Sequence, residues 1–435
     1  MIAKVYSAAL RGIDAYSVEV EINITGGSVP HFTIVGLPDN AVKESRERVV
    51  AAIKNSGYPF ALQRRITVNL APADIKKEGS SYDLPIAIGL MTAQGDLSEQ
   101  LLHKYLILGE LALDGSIRPI HGALSIAASA EQNGFEGLIV PEQNASETAI
   151  GAPNLKVIPV GHLTDVVNFL NGALEVEPFK VNLQELFEKE RNSRLDFQDV
   201  KGQEHVKRAM EVAAAGGHNL IMIGPPGSGK TMLAKRFPTI MPLMSLEEAI
   251  ETTKIHSVAG LLLPKQGLIA VRPFRSPHHT ISDAALVGGG KFPRPGEVSL
   301  AHHGVLFLDE LPEFKKNVLE VMRQPMEDGR VTISRASLTL TYPANFMLLA
   351  AMNPCPCGYY GDPNHSCSCS VNQIQKYRSR ISGPLLDRID IHVEVPAVPF
   401  KELSSDRRGE PSAAIRERVE KARAIQRRRF AHEKG

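Results

Sequence analysis

The 435-residue sequence lacks tryptophan and any long apolar run. The longest apolar stretch, from Leu84 to Ala93, is too short to cross a bilayer, and the first residues lack a signal-peptide core. The formal net charge is only +1, so no global field draws the chain to a polyanion. We therefore expect a cytoplasmic protein without a membrane partner, which would meet nucleic acid only through a local basic surface.

Cysteine is also scarce, and all four cysteines fall in one short segment, residues 355–369. A reducing cytoplasm disfavours disulfides. Four thiolates within one loop suit a tetrahedral Zn²⁺ ion, so a structural zinc site is the favoured interpretation and reactive or oxidised thiols are the alternative. The proposed ligands form two Cys-x-Cys pairs, Cys355 with Cys357 and Cys367 with Cys369.

The length predicts two or three domains. Residues 1–175 mix β-rich runs, such as 17–22 and 65–70, with helical stretches near 39–56 and 83–94, which predicts an α/β or α+β domain. A polar linker, 176–196, precedes a second α/β region at 197–400. Residues 401–435 continue into a basic helix from Pro411 to about Phe430, for which a solvated face is favoured over nucleic-acid contact.

A nucleotide site is predicted where a short apolar strand, 220–223, runs into a glycine-rich turn and then a helix. In a G-x-x-x-x-G-K-[ST] loop, backbone N–H groups surround phosphate oxygens. The lysine neutralises the β- and γ-phosphates, and the hydroxyl ligates Mg²⁺. The residues of this loop are Gly224, Pro225, Pro226, Gly227, Ser228, Gly229, Lys230 and Thr231.

Two further strands supply polar residues for hydrolysis. The strand 305–308 ends in Asp309 and Glu310, which suits one carboxylate in the Mg²⁺ shell and a second that polarises the attacking water. The strand 346–351 leads to Asn353, whose amide can orient that water. We therefore expect an ATPase, with ATP and Mg²⁺ as its ligands.

Long segments between these motifs are typical of mobile, functional insertions. Lys230 and Asp309 are 79 positions apart, and the glycine-rich insertion between them includes Lys291. Residues 329–341 predict a β-hairpin with Arg335 near its tip. Arg335 and Lys291 are candidate DNA phosphate contacts, although each is equally well interpreted as a surface charge.

Four histidines in the same region, at 278, 279, 302 and 303, have no cysteine or carboxylate at ligand spacing. We therefore favour structural or pore-facing histidines over a metal site.

Taken together, these motifs closely resemble the bacterial magnesium-chelatase-like AAA+ ATPases called YifB or ComM, over essentially the whole chain. The resemblance implies a hexameric helicase that promotes branch migration of recombination intermediates during natural transformation, acting on single-stranded or branched DNA. A chelatase-type remodeller of a protein partner is the alternative, and an ATP-dependent protease is a third. The resemblance rests on 224–231, 275–279, 307–314, 353–358 and 385–390.

The same resemblance assigns further roles. It implies a sensor role for Asn353, an insert in the second core helix facing the ring pore, and an arginine finger at Arg388 that reaches a neighbouring subunit's γ-phosphate. Arg380 is the reserve candidate for the finger. An ion pair from Arg388 to Asp387 or Asp390 is the structural alternative.

The N-terminal region resembles a Lon-protease-type domain, with residues 77–83 at the nucleophile segment and 109–120 at the strand pair before the catalytic lysine. Leu124 occupies that lysine's position, and leucine cannot serve as a base, so we expect a non-proteolytic domain. In the family a helical lid follows the ATPase core. We expect this lid to be truncated at 435, which would affect hexamer formation and turnover.

Overall fold

The computed structural model describes residues 2–26, 31–60, 64–189, 195–290, 293–335, 338–398 and 408–430. Two compact units divide the chain: Met1–Lys189 with Thr253–Ile269, and Glu190–Thr252 with Ala270–Gly435. Within the described ranges, every helix is too short or too polar to span a bilayer.

Unit 1 contains a seven-stranded mixed sheet in the order β3-β4-β2-β1-β5-β8-β9. The strands β1, β2 and β4 pair antiparallel, whereas β3/β4, β1/β5, β5/β8 and β8/β9 pair parallel. Its elements are β1 (Ile2–Arg11), β2 (Asp14–Gly26), β3 (His31–Val35), α1 (Asn40–Asn55), β4 (Arg64–Ala71), α2 (Asp83–Gln94), β5 (Tyr105–Ile107), β6 (Glu110–Leu111), β7 (Ile117–Arg118), α3 (Ala123–Gln132), β8 (Gly137–Pro141), α4 (Ala145–Gly151), β9 (Lys156–Val160), α5 (Leu163–Leu170) and α6 (Leu183–Lys189).

Side-chain patterning explains the unit 1 core. In β2, alternate residues from Val18 to Ile24 are buried, as expected for a strand that packs one face on a core. Helix α2 is buried along nearly its whole length. Its first residue, Asp83, therefore needs a partner, and Arg48 donates to both of its carboxylate oxygens at 2.6 and 3.0 Å. The predicted strands and helices of this region are confirmed.

A segment from the middle of the sequence completes unit 1. Residues Thr253–Ile269, which the sequence placed within the 197–400 region, belong to this unit. Buried Glu147 explains the attachment, because its carboxylate accepts from the Ser257 hydroxyl at 2.5 Å, the Asn144 amide at 2.6 Å and the Leu124 N–H at 3.3 Å. Burial raises the pKa of Glu147, and these donors stabilise the carboxylate.

Unit 2 is built on a five-stranded parallel sheet in the order β11-β14-β17-β10-β18. Since all strands are parallel, their carboxyl ends share one edge. The elements after α6 are α7 (Glu204–Gly216), β10 (Leu220–Ile223), α8 (Lys230–Arg236), α9 (Leu246–Ala259), β11 (Phe274–Arg275), α10 (Asp283–Val287), β12 (Gly288–Gly289), β13 (Arg294–Pro295), α11 (Glu297–Leu300), β14 (Val305–Leu308), α12 (Lys316–Glu320), α13 (Arg323–Asp328), β15 (Arg330–Arg335), β16 (Leu338–Pro343), β17 (Met347–Met352), α14 (Val371–Arg378), α15 (Gly383–Leu386), β18 (Ile391–Glu394) and α16 (Ser412–Phe430). Helix α9 crosses the unit boundary at Thr252.

Two small hairpins pack against each other in unit 2. Strands β12 and β13 form one, and β15 and β16 form the other. The Tyr342 hydroxyl of β16 donates to the Pro293 carbonyl at 2.8 Å, and the Ile333 side chain packs where Gly288 has no Cβ. The predicted hairpin at 329–341 is confirmed, as is the helix at α16, in which Ile415 and Val419 are buried.

Candidate nucleotide site

The predicted phosphate loop joins β10, an internal strand of the sheet, to helix α8. Strand β10 lies between β17 and β18, so the loop opens at the carboxyl edge of the sheet. Gly224 passes so close to the Val395 carbonyl oxygen that a Cβ there would lie only 2.0 Å from it. The loop therefore begins where the neighbouring strand permits only glycine.

Lys230 lies inside this loop. Its ammonium donates to the carbonyl oxygens of Gly224 and Pro225, each at 2.8 Å, and lies 3.4 Å from Oδ1 of Asn353. Burial lowers the pKa of Lys230, while the nearby Asp309 carboxylate opposes that shift. The loop lysine and the amide predicted as a sensor are thus brought together.

The hydroxyl and carboxylate predicted for Mg²⁺ also meet. Thr231 Oγ1 donates to Asp309 Oδ2 at 2.7 Å. Asp309 follows β14, and Thr231 is the second residue of α8. A hydroxyl and a carboxylate in contact at the end of parallel strands are the oxygen donors that Mg²⁺ prefers, so these two side chains fit the cation.

Glu310 takes an unusual backbone conformation beside this pair. Its φ is +52°, in the left-handed region, and its side chain is 57% exposed. Nδ1 of His279 lies 3.4 Å from its carboxylate Oε2. The register explains the contact: Arg275 of β11 pairs with Leu306 of β14, so the residues following each strand run side by side. His279 thus positions the carboxylate proposed as the base.

The two arginines considered for the finger are both paired within the chain. Arg388 forms an ion pair with Glu327 of α13, and its Nη1 donates to the Pro384 carbonyl at 2.5 Å. The ion pair is therefore made with Glu327, rather than with the Asp387 or Asp390 considered from the sequence. Arg380 pairs with Glu313 at 2.8 Å. Either arginine must exchange its carboxylate before it can reach a phosphate on another subunit.

The four cysteines converge as the spacing predicted. The Cys355 sulfur lies 3.3 Å from that of Cys357 and 3.7 Å from that of Cys367, and the Cys357 and Cys367 sulfurs are 3.6 Å apart. All four sulfurs, including that of Cys369, lie within 4.8 Å of one another. Sulfurs held tetrahedrally at about 2.3 Å from Zn²⁺ would be about 3.8 Å apart, so this donor set fits the ion.

Backbone donors complete the cysteine cluster. The Tyr360 N–H donates to the Cys355 sulfur at 3.3 Å, and the Cys357 N–H donates to that of Cys369 at 3.4 Å. Hydrogen bonds to sulfur stabilise the thiolate form that a metal requires. In the same way, backbone donors lower the pKa of Cys357 to about 5.

His302, His303 and Glu251 form a second group close enough to suggest a metal. However, the Asn345 N–H donates to His302 Nδ1 at 3.0 Å, so the neutral imidazole carries its proton on Nε2, which faces Glu251 Oε2 at 3.3 Å. A nitrogen that bears a proton is not a metal ligand. These histidines instead link α9 to the segments before β14 and β17.

The proposed DNA contacts are only partly described. Arg335 ends β15, where it pairs with Leu338. Lys291 lies outside the described residues. The hairpin carrying Arg335 packs against the β12–β13 hairpin, whose connecting segment contains Lys291. The structure therefore describes only one of the two candidate contacts, at the end of β15.

One residue beside the phosphate loop, Gln203, was not among the predicted site residues. Gln203 is buried with a φ of +60°, and its side-chain amide donates to the carbonyls of Pro396 at 2.5 Å and Ser228 at 3.4 Å. Its Oε1 is a buried acceptor without a hydrogen-bond partner among the described residues. An acceptor left over beside a nucleotide site suits a ligand N–H. The sequence feature that could have indicated Gln203 is the Gly202-Gln203 pair, which immediately precedes a helical stretch.

In unit 1, the segment compared with a protease nucleophile has no catalytic base of the expected kind. Leu124 is fully buried in α3. The hydroxyl of Ser80 hydrogen-bonds Glu110, which pairs with Arg118 at 3.3 Å. Buried Lys77 donates to the carbonyls of Pro72 and Ile75. Its ammonium is thus held by backbone oxygens.

Comparisons with known proteins agree with this architecture. The family "Magnesium chelatase, subunit ChlI" matches residues 196–403, and "Subunit ChlI of Mg-chelatase" matches residues 20–144. "Competence protein ComM" of Haemophilus influenzae is 46% identical over 431 residues, covering 98% of this chain and 82% of that protein. YifB of Escherichia coli is 46% identical, covering 97% and 81%. A "Magnesium-chelatase 67 kDa subunit" of Chlorobaculum tepidum is 27% identical over 164 residues, covering 36% and 23%.

Proposed function

Because this chain belongs to the YifB/ComM family of magnesium-chelatase-like AAA+ ATPases, we propose that it is an ATP-driven DNA motor that promotes branch migration during natural transformation. The family implies ATP and Mg²⁺ as ligands. The observation that carries the proposal is the meeting of Lys230, Thr231, Asp309 and Asn353 at the carboxyl edge of a parallel sheet, in the unit that also contains two packed hairpins.

In the proposed reaction, the loop amides and Lys230 hold the β- and γ-phosphates. Thr231 and Asp309 would hold Mg²⁺, which when bound would neutralise phosphate charge. Glu310 accepts a proton from the attacking water, and His279 orients the Glu310 carboxylate. Asn353 contacts Lys230 and directly follows β17, a position from which it would sense the γ-phosphate and transmit the state of the nucleotide to that strand.

DNA is proposed as the substrate for two reasons. Haemophilus ComM is named for competence, the uptake of DNA by cells. The β15–β16 hairpin, which contains Arg335, packs against the β12–β13 hairpin, and residue 291 falls between β12 and β13 in the sequence. We propose that these two cations contact one DNA backbone. Arg388 is proposed to act on the adjoining subunit of a hexamer, after leaving Glu327.

Two further parts belong to the proposal. Cys355, Cys357, Cys367 and Cys369 would hold one structural Zn²⁺. Unit 1 is proposed to be a Lon-like, non-proteolytic platform, since Leu124 stands where that family has its catalytic lysine. The alternative, a chelatase-type remodeller of a protein partner, is favoured by the match to the 67 kDa chelatase subunit.

ATP hydrolysis with and without forked DNA tests the proposal, in the present chain and in a version extended as far as its longer relatives. We expect DNA to stimulate hydrolysis, Glu310→Gln to lower kcat by about 100-fold or more, and Arg335→Ala to abolish only the stimulation. Arg330→Ala, which removes an exposed arginine at the other end of β15, is the matched control. Hydrolysis that requires Glu310 but ignores DNA in both chains would establish the protein-remodelling alternative instead.

A further inference from the structure

The cysteine loop touches the phosphate loop directly at Gly358. A Cβ added to Gly358 would lie 2.7 Å from Cδ and 3.3 Å from Cγ of Pro226, the third residue of the phosphate loop. The Gly358 N–H donates to the Cys355 carbonyl at 3.0 Å, so Gly358 lies inside the turn that Cys355 begins. The position of the first sulfur ligand therefore determines where the backbone meets Pro226.

A second connection runs through the start of the same loop. Cys355 is buried and follows two residues after Asn353, whose Oδ1 lies 3.4 Å from the Lys230 ammonium. Arg378 of α14 holds the intervening Pro354, since its Nε donates to that carbonyl at 3.2 Å. The cysteine loop thus borders the nucleotide site at two places, Pro226 and Asn353.

Burial alone cannot hold this loop in shape. Of the fifteen residues 355–369, only Cys355 and Gly358 are buried, and Tyr360 is 50% exposed. Ordering each residue costs about 1–2 kcal/mol of conformational entropy, which so little buried surface does not offset. Four metal–sulfur bonds would supply the missing stabilisation.

We infer that a divalent metal ion bound by Cys355, Cys357, Cys367 and Cys369 holds the phosphate loop in its nucleotide-binding shape through the Gly358–Pro226 contact, so that nucleotide affinity depends on the metal. The inference rests on the nucleotide and zinc sites proposed above, but not on DNA as the substrate. It assigns the cysteine loop a regulatory role, because whatever removes the metal also weakens the nucleotide site.

Two glycines of the loop allow a matched test. Gly358 and Gly361 both have left-handed backbones, with φ values of +90° and +83°, so alanine strains each backbone similarly. A Cβ at 361 meets no described atom within 4 Å, whereas one at 358 meets Pro226. We expect both variants to retain one zinc per chain. Gly358→Ala should raise the Kd for a fluorescent ADP analogue by about tenfold or more, and Gly361→Ala by less than about twofold.

Removal of the metal is the second part of the test. Wild type stripped of zinc by a chelator, and the Cys367→Ser/Cys369→Ser variant, should both show the raised Kd. Added zinc chloride should restore affinity only to the stripped wild type. Zinc content by atomic emission and far-ultraviolet circular dichroism verify loading and folding in each sample.

Equal nucleotide affinity in Gly358→Ala and Gly361→Ala would overturn the inference. So would unchanged affinity in the stripped wild type, or a purified protein that binds no zinc. Because every arm measures nucleotide binding without DNA, these outcomes are independent of the test of the motor proposal.

Discussion

At the scale of single residues, two left-handed backbone conformations flank strand β14, which leads to the proposed catalytic carboxylates. His303 lies two residues before β14 and has a φ of +56°, while Glu310, two residues after it, has a φ of +52°. Each left-handed conformation costs about 1–3 kcal/mol for a residue with a side chain, and such residues concentrate at functional sites. The pairing of His303 Nε2 with Glu251 at 2.9 Å helps to hold the first of them.

The neighbouring His302 should make the stability of unit 2 depend on pH. Burial, and then the charge of His303, lowers the pKa of His302 to about 4, despite Glu248 and Glu251 nearby. His302 therefore binds a proton more readily in the unfolded chain than in the folded one. The free energy of unfolding is larger at neutral pH, and it decreases as the pH falls from about 6.5 to about 4. The loss amounts to at most about 3 kcal/mol.

Urea unfolding at pH 7.5 and pH 5 measures this loss. His302→Asn, whose side-chain oxygen can still accept from the Asn345 N–H, should reduce the difference between the two pH values. His278→Asn, at an exposed position, should leave the difference as in the wild type. The same pH dependence in all three proteins would contradict the assignment to His302.

Site residues could be predicted from the sequence where they belong to one short motif. Lys230, Thr231 and Asp309 were chosen from their motifs, and the structure brings them together. The contacts of Gln203 with Pro396 and of Arg388 with Glu327 join positions 193 and 61 residues apart. No local pattern encodes such pairs, because they arise only when distant elements pack.

At the scale of elements, the two hairpins of unit 2 behave as a pair. The hydrogen bond from Tyr342 to Pro293 and the packing of Ile333 at Gly288 are side-chain contacts between them. Apolar alternation predicted the β15–β16 hairpin. The β12–β13 hairpin was not predicted, because strands of two residues rich in glycine carry no alternation.

Tyr342→Phe should loosen this pair. Tyr342 is 1% exposed, so the change leaves the Pro293 carbonyl without its donor and costs about 1 kcal/mol. We expect the DNA stimulation of hydrolysis to fall while basal hydrolysis stays near wild type, since the nucleotide residues are untouched. Steady-state ATPase assays with and without DNA measure both rates. Equal losses in the two rates would show that the hydroxyl serves only general stability.

For the whole molecule, the main finding is that unit 1 is discontinuous. The sequence placed residues 253–269 within the 197–400 region, whereas the structure assigns them to the unit of the N-terminal sheet. One part of that information is Glu147, a buried carboxylate that accepts from the Ser257 hydroxyl far along the sequence. The Gly122 N–H also donates to the Ser257 carbonyl, at 3.1 Å. An isolated acidic residue among apolar neighbours gives no indication of which distant donor it will meet.

Residues 1–189 alone should therefore be less stable than unit 1 in the full chain. A hydrogen bond to a buried carboxylate contributes about 1.5–3 kcal/mol, and Ser257→Ala in the full chain should cost a similar amount. Fusing 253–269 to the fragment through a glycine-serine linker should recover the stability. Hydrogen exchange at the α3 amides measures each case. Equal protection in the fragment and the full chain would refute the requirement.

Because unit 1 is discontinuous in sequence, its parts leave the ribosome at different times. The last residues of unit 1 are made after Lys189, at positions 253–269, so about 80 further residues must be synthesised before the unit is complete. At about 5–20 residues per second, the N-terminal sheet waits roughly 4–16 seconds for its final segment. During translation, the first unit to begin folding thus cannot finish until synthesis of the second is well under way.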